Sequence, residues 1–115
     1  MNEITVKHTA REIIDAVESC DWYEMPDEMV FDACVLCGIP TDAAEFISEW
    51  YPELSVYAYN RLRYGYYDWA TFGVLTEKEL AEMLKWNDCT EEEYEENYGT
   101  IVRDAAFDGV LVCGE

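Results

Sequence analysis

Two cysteines three residues apart, Cys34 and Cys37, form a C-x-x-C pair, the spacing at which thiolates can hold zinc or exchange disulfides. Both fall on the apolar side of a predicted helix, and no second pair stands at metal-ligand spacing. A reduced cysteine packs as a small hydrophobe, so core packing is the expected role. Cys20, Cys89 and Cys113 bring the count to five and share no spacing with the pair. His8 is the only histidine and reads as a lone exposed side chain, because nucleophilic and metal sites need partners that the sequence does not mark around it. Nor is there a Gly-x-Ser-x-Gly elbow, a phosphate loop or a dinucleotide fingerprint. The stretch "NDCTEEEYEENYG" is rich in oxygen ligands but lacks the central glycine of a calcium-binding EF-hand loop. These residues predict no enzyme, no cofactor and no specific metal site.

Charge is the outstanding feature of the chain. Its 115 residues carry 26 acids against 7 bases, a net charge of −19. A small domain needs a magnitude of only roughly 2–8 to stay soluble. Carboxylates at this density repel one another and destabilise the compact state, so the excess is understood most easily as serving a cationic partner. Half of the residues are hydrophobic, which separates the chain from acidic disordered segments and predicts a real core. The acids are spread as well: residues 1–60 hold 13 acids and 2 bases, and residues 61–115 hold 13 acids and 5 bases. The charge therefore belongs to the folded body and not to an appended tail.

Helix-start signals organise the chain. Thr9 with Glu12, Thr76 with Glu79, and Thr90 with Glu93 have the spacing of capping boxes. Thr9 leads a helix to about Cys20 with Ile13, Ile14 and Val17 on its apolar side, and a second helix runs from Asp27 to Cys37, closed by Gly38 and burying Met29 or Val30, Ala33, Cys34 and Cys37. Thr41 caps a third, which buries Ala43, Phe46, Ile47 and Trp50 and stops before Pro52. A fourth covers Glu53 to Tyr64. Beyond the aromatic stretch, "TEKELAEMLKWN" buries Leu80, Met83, Leu84 and Trp86, with Asn87 as a left-handed cap, and "TEEEYEENYG" is a short helix ending at Gly99. The tail "IVRDAAFDGVLVCGE" starts as a helix and ends in a buried strand. The expected fold is mainly α, a single compact multi-helix domain over residues 1–115, with one or two short strands near residues 63–74 and 109–113.

Acids recur at every third position through residues 12–27, and Glu12, Asp15 and Glu18 span about 60° of helix surface per step, from 100° per residue. Together with Asp21 and Glu24, and with Glu91, Glu92, Glu93, Glu95 and Glu96 of the "TEEEYEENY" run, they form the expected acidic partner-binding surface. The aromatic segment is read in two ways, as core packing or as a contact surface; on the second, Tyr59, Tyr64, Tyr66, Tyr67 and Trp69 form the expected aromatic contact set, since tyrosine and tryptophan favour interface hot spots. Direct nucleic-acid binding is disfavoured, because a surface of this charge repels phosphates. Membrane association is disfavoured too, for want of an apolar run of roughly 20 residues and because anionic headgroups repel an anionic surface. The start "MNEITVKHTA" shows no basic n-region or apolar run of a signal peptide, so the expected location is the cytoplasm, with reduced thiols.

Duplex DNA carries about one charge per 1.7 Å, so nineteen charges equal about 32 Å of duplex, comparable with the roughly 34 Å diameter of a compact chain of this length. In length, charge, helical pattern and acid runs the chain resembles the small acidic anti-defence proteins of phages and mobile elements: nucleic-acid mimics of the Ocr and ArdA type and acidic anti-CRISPR proteins. That resemblance implies a stoichiometric inhibitor whose partner is a basic nucleic-acid-binding protein, a CRISPR effector or a restriction enzyme, encountered in the host cytoplasm. The alternative expectation is a phage or mobile-element structural or adaptor protein that self-associates through its aromatic segment, a homodimer being the simplest form.

Overall fold

A computed structural model describes residues 6–21, 24–65 and 71–114. The fold is mainly α, as expected, and the chain divides into two compact units, Met1–Tyr66 and Tyr67–Glu115.

The first unit is helical. Helix α1 (Ala10–Glu18) begins where expected: the Thr9 hydroxyl accepts the Glu12 amide while the Glu12 carboxylate accepts the Thr9 amide. Ile13 and Val17 are buried, while Ile14 is only half-buried. Helix α2 (Asp27–Leu36) buries Val30, not Met29, together with Ala33, Cys34 and an aspartate, Asp32. Cys37 lies just past the helix and is half-buried. There Gly38 takes φ of 96°, the left-handed turn that glycine accepts freely. The Ile39 amide then donates to the Cys34 carbonyl at 3.1 Å, which folds Ile39 into the core.

Helix α3 (Thr41–Trp50) is preceded by Pro40 at the cap, so Thr41 is its first helical residue and not its cap. Ala43, Phe46 and Ile47 are buried as expected, and Ala44 joins them. Trp50 is not buried: it is 69% exposed. It lies at the end of the apolar face, where the helix stops, and the next residue, Tyr51, packs on Phe46 with ring centroids 5.5 Å apart. A 3-10 turn (Pro52–Leu54) leads into α4 (Ser55–Tyr64), so the fourth expected helix is divided at its start. Helix α2 packs on α3 and α4, and α1 packs on α4 and α2. Ala33, Ala43, Ala44 and Ala58, all fully buried, let these helices approach closely.

The second unit is a small antiparallel sheet with two helices. Strands β1 (Thr71–Leu75), β2 (Gly99–Val102) and β3 (Val110–Gly114) lie in the order β1-β3-β2. Strand β1 overlaps the end of the stretch near residues 63–74 where a short strand was expected, and β3 matches the expected terminal strand within one residue. Ile101 and Val102, expected to start a helix, instead close strand β2: β-branched Thr100, Ile101 and Val102 pair with β3. Every residue of β3 is buried, so the sequence "VLVCG" shows no alternation.

Helices α5 (Glu77–Trp86) and α6 (Glu91–Asn97) start at complete capping boxes, on Thr76 with Glu79 and Thr90 with Glu93. Leu80, Tyr94, Ile101, Val110 and Val112 form the core here, with Leu75, Met83, Leu84 and Cys89 packed against it. Trp86 is 89% exposed, contrary to expectation. At 100° per residue it falls well off the face that Leu80 and Leu84 share. Asn87 keeps right-handed backbone (φ −86°) and its amide nitrogen donates to the Met83 carbonyl at 2.9 Å; the left-handed residue is Asp88, φ 51°. Gly99 faces Gly114 across the sheet, and a Cβ on Gly99 would lie 1.8 Å from the Cys113 carbonyl oxygen. The strands meet so closely there that only glycine fits.

Candidate functional site

The described carboxylates are exposed with two exceptions, the buried Asp32 and the half-buried Glu91. Both units share the charge: residues 1–66 carry 13 acids against 4 bases, and residues 67–115 carry 13 against 3. Glu12, Asp15 and Glu18 lie on the outer side of α1, Asp21 in the turn after it and Glu24 just ahead of α2, all exposed as expected. Two of these acids are also structural. Glu12 is a capping-box residue, and the hydrogen bond from the Thr9 amide holds its carboxyl below the ordinary value. Glu18 accepts from Nε of Arg63, which reaches over from α4.

That ion pair draws a predicted aromatic pair together with a predicted acid. Tyr59 and Tyr64 meet edge to face with centroids 6.4 Å apart, and the Arg63 guanidinium lies 5.2 Å from the centre of the Tyr64 ring. Burial, with Glu18 and Tyr64 nearby, pushes the Tyr59 phenol above its ordinary value, so it stays neutral. Tyr64 is 57% exposed. Tyr66, Tyr67 and Trp69 lie outside the described residues.

Tyr59 also lines a groove in the first unit with a cavity volume of about 390 Å³. Val17, Met25 and Val56 supply apolar wall, and three carboxylates, Glu24, Asp27 and Glu53, reach it from different elements. Sequence reasoning picked out Glu24 and Tyr59 but missed Asp27, Glu53 and Val56 as members of one site. They fall in two short stretches, residues 24–27 and 53–59, and only the packing of α2 on α4 brings the two together.

In the second unit the acidic surface is the outer side of α6. Glu92, Glu93, Glu95 and Glu96 are exposed around the buried Tyr94. Glu93 completes the capping box. Glu91 is pinned instead: Arg103 donates to both of its oxygens, at 2.6 and 3.0 Å, and to both oxygens of Glu77, at 2.7 and 2.9 Å. These hydrogen bonds hold both carboxyls below the ordinary value and raise the guanidinium further above its own.

The two features read as candidate chemistry from spacing have structural roles. His8 is not a lone exposed side chain, since its Nδ1 lies 2.7 Å from Oδ2 of the buried Asp32. The cysteine pair packs as expected. Burial pushes the Cys34 thiol up to about 12 and the Cys37 thiol up to about 11, and Cys37 Sγ donates to the Ala58 carbonyl at 3.3 Å. Among the described residues no group of three or more histidine, cysteine, aspartate or glutamate side chains is placed to hold a metal ion. No helix among them is long and apolar enough to cross a membrane.

What the fold and surface define is a class by architecture alone: helices and a small antiparallel sheet under an acidic exterior. The chain matches no protein-family model, no curated protein and no solved structure.

Proposed function

We propose that this protein is a non-catalytic acidic inhibitor that occupies the cationic nucleic-acid-binding surface of a defence nuclease, a restriction enzyme or a CRISPR effector. The observation that carries the reading is the outward placement of nearly every described carboxylate in both units. A fold that tolerates such self-repulsion gains from it when the charge meets a basic surface, which steers the encounter and releases bound counterions. Clustered acids on α1 and α6 supply the charge, and Tyr59 and Tyr64 supply apolar contact beside Glu18 of α1.

The test uses a panel of purified restriction and CRISPR nucleases. One of them binds the protein with an affinity that falls steeply as salt rises, and DNA or RNA competes for that binding. Inhibition saturates at a fixed stoichiometry. Binding that is insensitive to salt, or that coexists with bound nucleic acid, overturns the proposal. A second reading, self-association as a structural or adaptor protein, is favoured by the exposed indoles of Trp50 and Trp86.

A further inference from the structure

We propose that the groove of the first unit is the seat for an arginine side chain presented by a basic protein segment. The inference rests on the reading of this chain as a binder of cationic partners and names the place where that binding becomes specific.

The walls suit the two halves of an arginine differently. Its aliphatic stem gains by covering apolar surface, which the half-buried Met25 and the 51%-exposed Val56 provide over the buried Val17. Its guanidinium is planar, weakly hydrated and shaped for paired hydrogen bonds to carboxylates. Glu24, Asp27 and Glu53 line the groove and supply three such acceptors, with Tyr59 beside them. Among the described residues no lysine or arginine lines the groove. The volume of about 390 Å³ is at the small end of the roughly 300–1,000 Å³ range of ligand pockets, which suits a single long side chain with part of its backbone. An apolar wall without acids would accept any hydrophobic anchor, and acids without the wall would hold only a diffuse ion cloud; the two together select a cation with a stem.

The probe is a capped nona-arginine peptide, titrated by calorimetry against the full chain and two double variants that each remove two negative charges. Glu24→Gln with Glu53→Gln alters the groove, and Glu45→Gln with Glu49→Gln alters exposed acids on α3. The groove variant is expected to bind about thirtyfold more weakly than the α3 variant, the scale of one lost hot-spot contact. Val56→Ser, at an exposed position, is expected to weaken binding with no change of charge, and circular dichroism confirms that each variant is folded. Equal loss in the two double variants overturns the groove as the seat while leaving the cationic-partner reading intact. Groove-dependent peptide binding by a protein that inhibits no nuclease overturns the nuclease reading and leaves the groove standing.

Discussion

His8 and Asp32 are joined through Nδ1 and Oδ2 at 2.7 Å across 24 residues of sequence, and the same Oδ2 accepts the backbone amides of Lys7 and His8 at 3.0 Å each. A carboxylate oxygen accepts, so Nδ1 of His8 carries the donated proton. One buried oxygen thus ties the segment ahead of α1 to α2. Replacing it by a methyl group leaves two amides and an imidazole without their acceptor in a partly buried place. Asp32→Ala is expected to lower stability by about 1–3 kcal/mol, measured by urea unfolding, whereas Asp32→Asn, which keeps an oxygen, costs less. Equal stability of Asp32→Ala and the parent would show that water replaces the carboxylate at no cost.

Arg103 holds the first residues of α5 and α6 to the end of β2 through Glu77 and Glu91. Both carboxyls sit below their ordinary value of 4.5, chiefly through the Arg103 hydrogen bonds. Carboxyls depressed in the folded state contribute stability above 4.5, and that contribution is lost as pH falls through their folded values. Arg103→Met is therefore expected to melt at a lower temperature than the parent at neutral pH, with the gap closing as pH falls below 4.5. The side chains are substantially exposed, so the gap is modest and narrows in salt. A gap that widens on acidification would contradict this assignment.

The thiols of Cys34 and Cys37 stay protonated at physiological pH because burial penalises the thiolate. Since the thiolate is the reacting form, alkylation at about pH 8 is expected to modify the half-buried Cys20 well before Cys34 or the fully buried Cys113. Peptide mapping by mass spectrometry reads the order, and denaturant should remove it. Modification of Cys34 as fast as Cys20 would restore a reactive role for the C-x-x-C pair.

Local chemistry was legible in the sequence wherever it acts over three or four residues. The capping boxes at Thr9, Thr76 and Thr90, the glycine stop at Gly38 and the apolar faces of α1 and α3 all follow from side chains meeting their own backbone or their own helix. Legibility ended where a distant element decides the outcome. Asp32 looks like one more surface acid until the segment carrying His8 folds over it. Ile101 and Val102 fit a helix or a strand until β3 offers an edge to pair with. The groove is the same case: Glu24 and Tyr59 were marked for charge and ring, but the stretch 24–27 meets the stretch 53–59 only through helix packing.

Trp50 and Trp86 separate the two functional readings. Both stand on helices but outside the core, 69% and 89% exposed, so neither contributes the packing that would explain a large apolar side chain there. Surface substitutions away from packed features change stability by less than about 0.5 kcal/mol, and Trp50→Ser and Trp86→Ser are expected to fall within that limit. Their effect on association then discriminates. If self-association is the function, an exposed indole is the natural anchor, and the double variant sediments as a monomer under conditions in which the parent does not. For a charge-driven inhibitor, parent and double variant sediment alike at low salt, where copies carrying a net charge of −19 repel one another, and also at high salt, where that repulsion is screened but the indoles form no interface between copies. Loss of association only in the double variant would move the protein from inhibitor to assembly component.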